Sequence, residues 1–408
     1  MVIKNCRICN SRKISKLFSL GNLSFTGKFA TSINTNIPSA DLSVVKCDKC
    51  HLVQLGRNFN TKYLYGSDYG YRTGINSTMT NHMKKVCAKL SKTANLKKGD
   101  AVLDIASNDG TLLNFYSKNM FRVGIDPTIK KYIKYYSKIN LPISDFFSFD
   151  KIRKNTKKKF KVISALSVFY DMKNPNIFLD EACKLLDQNG VLLLEQADLS
   201  SIIKHKMFDT ICHEHLEYYS HEVISRLAKK NNLKIFDMVA NDINGGSTQY
   251  YLCKKNSKYK INKKVIDSFL SKDKKLELNK AKTYKKFFKH IEVIGKNLRN
   301  LLIKLKDQNK IIHGYGASTK GNVILQYFKI GTDFIDCISD RNPKKNGQFT
   351  PGTKIKIVSE EISRKLKPDY YLVLPWHFKN EILKRERKII NSGTKFIFPL
   401  PKIKITIK

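Results

Sequence analysis

The chain has 408 residues and a formal net charge of +42, since 76 lysines and arginines outnumber 34 aspartates and glutamates. A hydrophobic content of 41%, with 19 tyrosines and 23 phenylalanines, argues against disorder and predicts two or three folded domains. The charge alone suggests nucleic acid or an anionic membrane, but lysine far outnumbers arginine and is spread along the whole length. Such even charge is more typical of a solvated surface, so we expect no nucleic-acid or membrane partner.

Cysteine use and hydropathy indicate the compartment. The first ten residues are polar and contain no apolar core of signal-peptide length. No stretch approaches the ~18 apolar residues of a membrane span. Four of the nine cysteines occur in paired spacing, which fits a reducing cytosol and a metal site better than a disulfide framework. We therefore expect a cytoplasmic protein.

Two Cys-x-x-Cys motifs lie near the start of the chain. Each presents two thiolates in one turn, and together they complete a tetrahedral zinc site with Zn–S bonds of about 2.3 Å. A redox dithiol and unpaired buried cysteines are the alternatives. Because four sulfurs leave no open coordination position, we predict a structural zinc ion. The long segment between the motifs is expected to form strands of its own. The predicted ligands are Cys6, Cys9, Cys47 and Cys50.

A tyrosine-rich segment runs from Tyr63 to Met83. Tyrosine offers a flat face and a hydroxyl together, which suits a lid over a substrate. A surface loop that covers the core with its aromatic rings is an equally weighted alternative. Tyr69 and Tyr71 are candidate substrate contacts, and Tyr71 is also a candidate catalytic group. His82, in the helix that follows, is a further candidate contact, although a lone histidine is more often structural.

The segment from Val102 to Leu113 is predicted to form a buried strand, a tight polar turn and the start of a helix at Thr111. A second strand ends at Asp126, at the distance where such folds place an acid on ribose hydroxyls. The turn has no Gly-x-Gly-x-x-Gly pattern and contains Asp109, a poor place for phosphate. S-adenosylmethionine, cationic and without phosphate, suits it better than a dinucleotide, and a purely structural turn is the alternative. Candidate cofactor contacts here are Asp104, Ala106, Asn108, Gly110 and Asp126.

Further strands extend this unit into a doubly wound α/β domain that reaches about residue 255. A third strand ends within 143–147, where Asp145 and Phe146 are placed to meet an adenine amino group and ring. A fourth strand, Phe160–Leu166, leads to Tyr170 and Asp171 at the carboxyl edge, where open α/β sheets bind ligands. A helix from Pro175 and a strand over 191–195 follow.

The segment Phe208–Ser220 concentrates ionisable groups, including Cys212-His-Glu-His215. In an extended segment His213 and His215 point to one face and Glu214 to the other. Histidine titrates near neutrality, so we predict His215 as a general base, oriented by Glu214 or Glu217. A His-x-His metal pair and buried structural histidines are the alternatives.

The last part of the chain is predicted to be a second, smaller Rossmann-like unit. A lysine-rich connector, with helices over 265–270 and 276–305, precedes it. Residues 311–322 then form a strand, a glycine turn and a helix, and strands follow over 334–340 and 370–375. Lys320 beside the turn makes a candidate phosphate cradle. A purely structural role for this turn is the alternative.

Taken together, these motifs resemble a known family. The zinc knuckles, the Ser-Asn-Asp-Gly turn, the Asp-Thr-Ile-x-His-Glu-His box and the Gly-Tyr-Gly-Ala-x-x-Lys-Gly-Asn segment occur in order, followed by Asp-Arg-Asn-Pro and Thr-Pro-Gly-Thr. The chain resembles the three-domain sugar C-methyltransferases, which act at C-3 of nucleotide-linked 4-keto-6-deoxysugars. The resemblance implies a zinc-binding domain (1–62), a class I methyltransferase Rossmann-like domain (63–256), and a connector with a smaller Rossmann-like α/β domain (257–408).

The resemblance also implies a reaction. S-adenosylmethionine would donate the methyl group, and the histidine matching His215 would remove the proton next to the ketone, assisted by Glu214. His213 and Tyr71 are further candidate catalytic residues. Two positions depart from the family: Cys212 stands where tyrosine is frequent, and Asp171 where sugar C-3 enzymes have histidine.

Cys212, Asp171 and Tyr170 are therefore candidate contacts of the sugar, with Lys320 on the nucleotide. We expect a monomer or a weak homo-oligomer with a nucleotide-sugar substrate. An O- or N-methyltransferase of surface-polysaccharide sugar synthesis is one alternative. A basic zinc protein that binds nucleic acid is another, but it predicts clustered arginines and aromatics that the sequence lacks.

Overall fold

The computed structural model describes residues 1–66 and 69–406 and contains three β-sheets, built in turn along the chain. The sheets have four, seven and six strands, and helices accompany the second and third. The predicted α/β class, with a cysteine-rich N-terminal unit and two Rossmann-like sheets, is confirmed. Within the described ranges, no helix is both long enough and apolar enough to span a membrane.

The N-terminal sheet is antiparallel and recruits a strand from much later in the chain. Strands β1 (Ile14–Ser24), β2 (Ser39–Cys47) and β3 (Val53–Leu55) include the strands expected between the cysteine motifs. β3 also pairs with Glu217–Tyr218, directly after the His-Glu-His box. This pairing ties the box to the N-terminal unit, a long-range contact that no local pattern indicates.

The central sheet is doubly wound around its first strand. The strands after β3 are β4 (Ala101–Ile105), β5 (Phe121–Ile125), β6 (Leu141–Ile143), β7 (Phe160–Leu166), β8 (Leu186–Ala197), β9 (Glu217–Tyr218, in the N-terminal sheet), β10 (Leu233–Asn241) and β11 (Ser247–Lys254). Five parallel strands lie in the order β8-β7-β4-β5-β6, and antiparallel β11 and β10 extend the β8 edge. The strand order reverses beside β4, which creates the ligand-binding crevice of open α/β sheets.

The helix predicted at Thr111 does not form, and a single 3₁₀ turn, Leu113–Phe115, takes its place. The segment is too short for an α-helix, because a second turn, closed by the Met120 N–H on the Ser117 carbonyl oxygen, follows the 3₁₀ turn almost directly. The helices up to residue 230 are α1 (Thr61–Leu64), α2 (Ser77–Thr93), α3 (Ile129–Tyr132), α4 (Phe149–Asn155), α5 (Pro175–Leu185), α6 (Leu199–His205) and α7 (His221–Lys230).

The connector forms α8 (Lys263–Lys275) and α9 (Ala281–Asp307). The predicted second helix starts five residues late, since Glu277 is left-handed with φ 49° and ends the preceding helix. The C-terminal unit contains β12 (Ile312–Tyr315), α10 (Thr319–Tyr327), β13 (Ile338–Asp340), β14 (Ile357–Ser359), α11 (Glu360–Lys365), β15 (Tyr370–Val373), α12 (Lys379–Arg385), α13 (Arg387–Asn391), β16 (Lys395–Phe398) and β17 (Lys404–Ile405). Its sheet has the order β14-β13-β12-β15-β16-β17, parallel except for β17.

One hydrophobic core joins the N- and C-terminal units. It contains side chains of β1, of the segment around Phe208 and of the C-terminal sheet, and the Phe18 ring stacks on Phe288 of α9 at 4.9 Å. The central sheet carries separate cores. The N- and C-terminal units therefore pack on each other, and both contact the carboxyl edge of the central sheet.

Candidate active site

The carboxyl ends of β4, β5 and β7 open into a cavity of about 480 Å³, a volume typical of small-ligand sites. All three units line it. Gly27 and Phe29 come from the N-terminal unit, and Lys320 and Lys345 from the C-terminal unit. A cavity walled by three packed units shields reacting groups from water, which strengthens electrostatic interactions inside it.

The turn after β4 holds an unusual backbone with a single glycine. Ala106, Asn108 and Gly110 have φ values of 57°, 50° and 74°. The Asn108 side chain joins this turn to the tyrosine-rich segment, since its Oδ1 accepts the Thr73 N–H at 2.9 Å. Ala106 and Asn108 line the cavity. Gly110 does not line it, and a Cβ there would stand 2.9 Å from Ile139, so this glycine serves packing.

Asp104, at the end of β4, is buried beneath the turn. Its Oδ1 accepts the Ser164 hydroxyl at 2.6 Å, and burial raises its pKa to about 7. The side chain lies on a second cavity of about 40 Å³, which shares Thr73 and Ala106 with the large cavity. Asp104 therefore adjoins the large cavity without lining it.

Two acids and an aromatic ring lie at the β5 and β6 end of the cavity. Asp126 is buried and accepts the main-chain N–H of Asn108 at 3.0 Å, and burial raises its pKa. Asp145 and Phe146 line the same cavity. The Lys151 ammonium, 2.6 Å from the Asp145 carboxylate, holds the pKa of that acid below its usual range. The predicted ribose and adenine contacts are thus brought together.

The tyrosine-rich segment lies across the cavity, and its residues 67 and 68 are outside the described ranges. Tyr69 and Tyr71 line the cavity. The Tyr71 carbonyl oxygen accepts the Tyr132 hydroxyl at 3.0 Å. The Gly74 N–H donates to Asp109 Oδ2 at 3.0 Å, so this carboxylate faces the segment. These bonds attach the segment to the central turn.

The His-Glu-His box forms a turn, closed by the His215 N–H on the carbonyl oxygen three residues earlier at 3.2 Å. The expectation that both histidines share a face opposite Glu214 is wrong, because side chains alternate only along extended backbone. Glu214 and His215 line the cavity. His213 does not, and its ring packs 4.5 Å from Phe25 and 5.1 Å from Phe59, where burial lowers its pKa to about 4.

His215 is held in one tautomer. Its Nδ1 lies 2.7 Å from the Thr210 carbonyl oxygen, which only accepts, so Nδ1 carries the hydrogen and Nε2 the lone pair. The Tyr170 ring packs 4.2 Å away. Burial, followed by the positive charge of Lys320, lowers the pKa of His215 to about 3. The imidazole is therefore neutral near pH 7, with Nε2 available as a base.

Two carboxyl groups, of Asp171 and Glu214, also line the cavity. Each is more than nine-tenths buried. Asp171 Oδ2 accepts the Tyr65 hydroxyl at 2.7 Å, whereas its Oδ1 and both Glu214 oxygens lack a hydrogen-bond partner among the described residues. Burial raises the pKa of both acids. Buried oxygens without partners are costly unless a ligand supplies hydrogen bonds.

Two predicted substrate contacts lie away from the cavity wall. His82 Nε2 is 2.6 Å from Glu195 Oε1, and the other oxygen of Glu195 accepts the Gln249 amide at 2.5 Å. This network anchors α2 to the central sheet, which is why the histidine turns from the cavity. Cys212 is fully buried in the core shared by the N- and C-terminal units.

The C-terminal unit adds two ammonium groups to the cavity wall. Lys320, in the first turn of α10, donates to the Asn244 carbonyl oxygen at 2.9 Å. Lys345 donates to the Ala317 carbonyl oxygen at 2.5 Å, and burial lowers its pKa. Two ammonium groups on one wall would attract an anionic part of a ligand, and the phosphate cradle expected at Lys320 stays a prediction.

The four cysteines predicted to bind zinc lie together. Their sulfurs are all within 4.8 Å of one another, and the Cys6–Cys50 and Cys9–Cys47 pairs are 3.5 Å apart. A tetrahedral site with Zn–S bonds of about 2.3 Å has sulfurs about 3.8 Å apart, so the cluster fits one zinc ion. The cluster is distinct from the cavity, which fits a structural role.

Several lining residues were not singled out from the sequence. Tyr65 belongs to the tyrosine-rich segment, Asn244 stands directly before a pair of glycines, and Lys345 follows the Asp-Arg-Asn-Pro motif. Gly27 and His377 carry no local signal. Their proximity to the site follows only from the packing of distant segments.

Three family models match the chain in order. "Putative zinc binding domain" matches residues 6–65, "Methyltransferase domain" matches 75–237, and "C-methyltransferase C-terminal domain" matches 242–401. A curated relative, C-methyltransferase NovU of Streptomyces niveus, is 26% identical over 411 aligned residues. That alignment covers 99% of this chain and 97% of the relative.

Solved structures align with part of the chain. The plantazolicin methyltransferase BamL, in complex with a triazolic desmethylPZN analog and SAH, gives a TM-score of 0.35 at 13% identity, over 44% of this chain and 87% of its own. An S-adenosylmethionine-dependent methyltransferase from Clostridium acetobutylicum gives a TM-score of 0.36 at 13% identity, and the alignment covers 43% of this chain and 92% of that structure.

Proposed function

Because the chain belongs to the S-adenosylmethionine-dependent C-methyltransferases with an N-terminal zinc-binding domain, we propose that it methylates a nucleotide-linked keto-deoxysugar at C-3, next to a 4-ketone. The observation that carries this proposal is the His215 tautomer: Nδ1 carries the hydrogen, and the unprotonated Nε2 belongs to a residue on the cavity wall. Carbon methylation next to a ketone requires such a base, since the C–H bond must first lose its proton.

The β5 and β6 end of the cavity suits S-adenosylmethionine, which supplies an electrophilic methyl group on a cationic sulfur. Asp126 is placed for the ribose hydroxyls, and Asp145 with Phe146 for the adenine. The turn at Ala106 and Asn108 would approach the methionine part. The acids here suit a cationic ligand without phosphate, and they support this placement.

The opposite walls suit the sugar and its nucleotide. The unpartnered oxygens of Asp171 and Glu214 would exchange hydrogen bonds with sugar hydroxyls, and Tyr69 would cover the ring. Lys320 and Lys345 would face the anionic diphosphate. These contacts support a position for the sugar between the proposed base and the cofactor end of the cavity.

In the proposed reaction, His215 Nε2 takes the proton from C-3. The electron pair of that C–H bond forms a C-3–C-4 double bond, and the carbonyl pair moves to the ketone oxygen as an enolate. The enolate would then re-form the C-4 ketone as the C-3–C-4 electron pair bonds to the methyl group supplied by S-adenosylmethionine, which would leave as S-adenosylhomocysteine. The Glu214 carboxyl assists by stabilising the imidazolium that His215 becomes.

The test uses two assays on a panel of nucleotide-linked 4-keto-6-deoxysugars. Methyl transfer should add one methyl group that NMR places on C-3. In D₂O with S-adenosylhomocysteine, the enzyme should exchange the C-3 hydrogen, and His215→Asn should abolish both reactions while S-adenosylhomocysteine binding stays near wild type. A methyl group found on oxygen or nitrogen, or unchanged exchange in the His215 variant, would contradict the proposal.

A further inference from the structure

Arg7 occupies the middle of the first cysteine motif, and its side chain is only 3% exposed. Its guanidinium is surrounded by acceptors. Nη1 donates to the carbonyl oxygens of Leu55 at 2.8 Å and Leu216 at 3.3 Å, and Nη2 donates to that of Arg57 at 2.7 Å. Its Nε lies 3.5 Å from Glu217 Oε1. One side chain thus joins the zinc knuckle to the residues that follow the His-Glu-His box.

The contact with Leu216 bears directly on His215, its neighbour in the chain. The Leu216 carbonyl oxygen also accepts the Leu55 N–H at 2.8 Å. On the other side, the Leu216 N–H donates to the carbonyl oxygen of Tyr170 at 2.8 Å, and the Tyr170 ring packs 4.2 Å from His215. The backbone after His215 is therefore fixed between the N-terminal unit and the cavity wall.

Burial makes this connection depend on a guanidinium. Glu217 is 1% exposed, and its carboxylate oxygens have no hydrogen-bond partner among the described residues, so Arg7 is the cation that faces it. Only a planar group with five N–H donors reaches several carbonyl oxygens and the carboxylate together. Without the guanidinium, the Arg57 carbonyl oxygen and the buried Glu217 carboxyl lose their contacts with Arg7, and the Leu216 carbonyl oxygen keeps only the Leu55 N–H.

We propose that Arg7 is a positioning residue that holds the His215 turn against the cavity. This proposal rests on the proposed role of His215 as the base. The two cysteines that flank Arg7 are ligands of the predicted zinc site, so the knuckle fixes the backbone from which the guanidinium reaches the box. Through Arg7 the N-terminal domain would act on the reaction from outside the cavity wall.

The test compares Arg7→Met and Arg7→Lys with Arg12→Met, a matched change at an exposed arginine of the same segment. Arg7→Met should lower kcat about tenfold to a hundredfold, as expected for a displaced catalytic group, with KM, zinc content and S-adenosylhomocysteine affinity near wild type. Arg7→Lys should recover part of kcat, because the ammonium still pairs with Glu217. A folded, zinc-loaded Arg7→Met with the kcat of Arg12→Met would overturn the proposal.

A second measurement needs no sugar. Trp376 is the one tryptophan of the chain, and its Nε1 donates to Asp209 Oδ2 at 2.9 Å, at the start of the box. Loss of the Arg7 contacts should increase acrylamide quenching of this fluorophore relative to Arg12→Met, and unchanged quenching would count against the proposal. If Arg7→Met does not fold, Arg7→Lys takes its place in both assays. Wild type that fails to methylate any sugar would refute the proposed function, while the quenching result would still decide whether Arg7 holds the box.

Discussion

A glycine opposite the proposed catalytic carboxyl offers a sharp test of the site. Gly27 lines the cavity, and a Cβ built on it would stand 2.2 Å from Glu214 Oε1. Its φ lies outside the left-handed region, so alanine fits the backbone conformation. Gly27→Ala therefore perturbs the site through this one collision.

The displacement follows from the geometry. Ordinary contact begins near 3.4 Å, so the Glu214 carboxyl must retreat by about 1.2 Å, the difference between 3.4 and 2.2 Å. A misplacement of about 1 Å at a catalytic group costs about a hundredfold in rate, or about 2.7 kcal/mol of activation free energy. We expect this loss in kcat, with S-adenosylhomocysteine affinity unchanged because the carboxyl lies away from the predicted adenosyl contacts.

The assay is the rate of methyl transfer, with titration calorimetry for the cofactor product. Gly331→Ala is the matched control, because its Cβ would meet only the Thr353 carbonyl oxygen, at 4.0 Å. Glu214→Asp shortens the side chain by about 1.5 Å and removes the collision, so adding Gly27→Ala to it should cost little more. A kcat for Gly27→Ala equal to that of Gly331→Ala, or strictly additive losses in the double variant, would refute the reasoning.

Three further predictions address the metal, the cofactor and the pH dependence. Cys47→Ser removes one sulfur of the cluster, so zinc measured by mass spectrometry should be lost and the melting temperature should fall; a stable, zinc-loaded variant would contradict the structural site. Asp126→Ala should weaken S-adenosylhomocysteine binding about tenfold to a hundredfold by calorimetry, as expected when a charged hydrogen-bond acceptor is lost. Lys320→Met removes a positive charge that lowers the pKa of His215, so this pKa should rise. Because the reaction requires neutral His215, kcat/KM measured at decreasing pH should begin to fall at a higher pH in the variant than in wild type. The same variant should raise KM for the nucleotide-sugar, and an unshifted acid limb would show that Lys320 does not act on the base.

The sequence by itself determined the elements whose signals are local. Two Cys-x-x-Cys motifs place their thiolates by turn geometry, so the four-sulfur cluster followed from spacing alone. The strands that end at Ile105, Ile125 and Leu166 followed from short apolar runs, and parallel strands must end at one edge. For the same reason Asp126 could be assigned to the cavity before the structure was known.

Only the tertiary structure decided how the His-Glu-His box is used. The two-residue spacing of His213 and His215 indicated a shared face, but a turn sends one ring into the core and the other to the cavity. That turn is held by contacts with β3 and Arg7, about two hundred residues away in sequence. Hydrogen bonds between such distant segments depend on how three units pack, and no local periodicity encodes that packing.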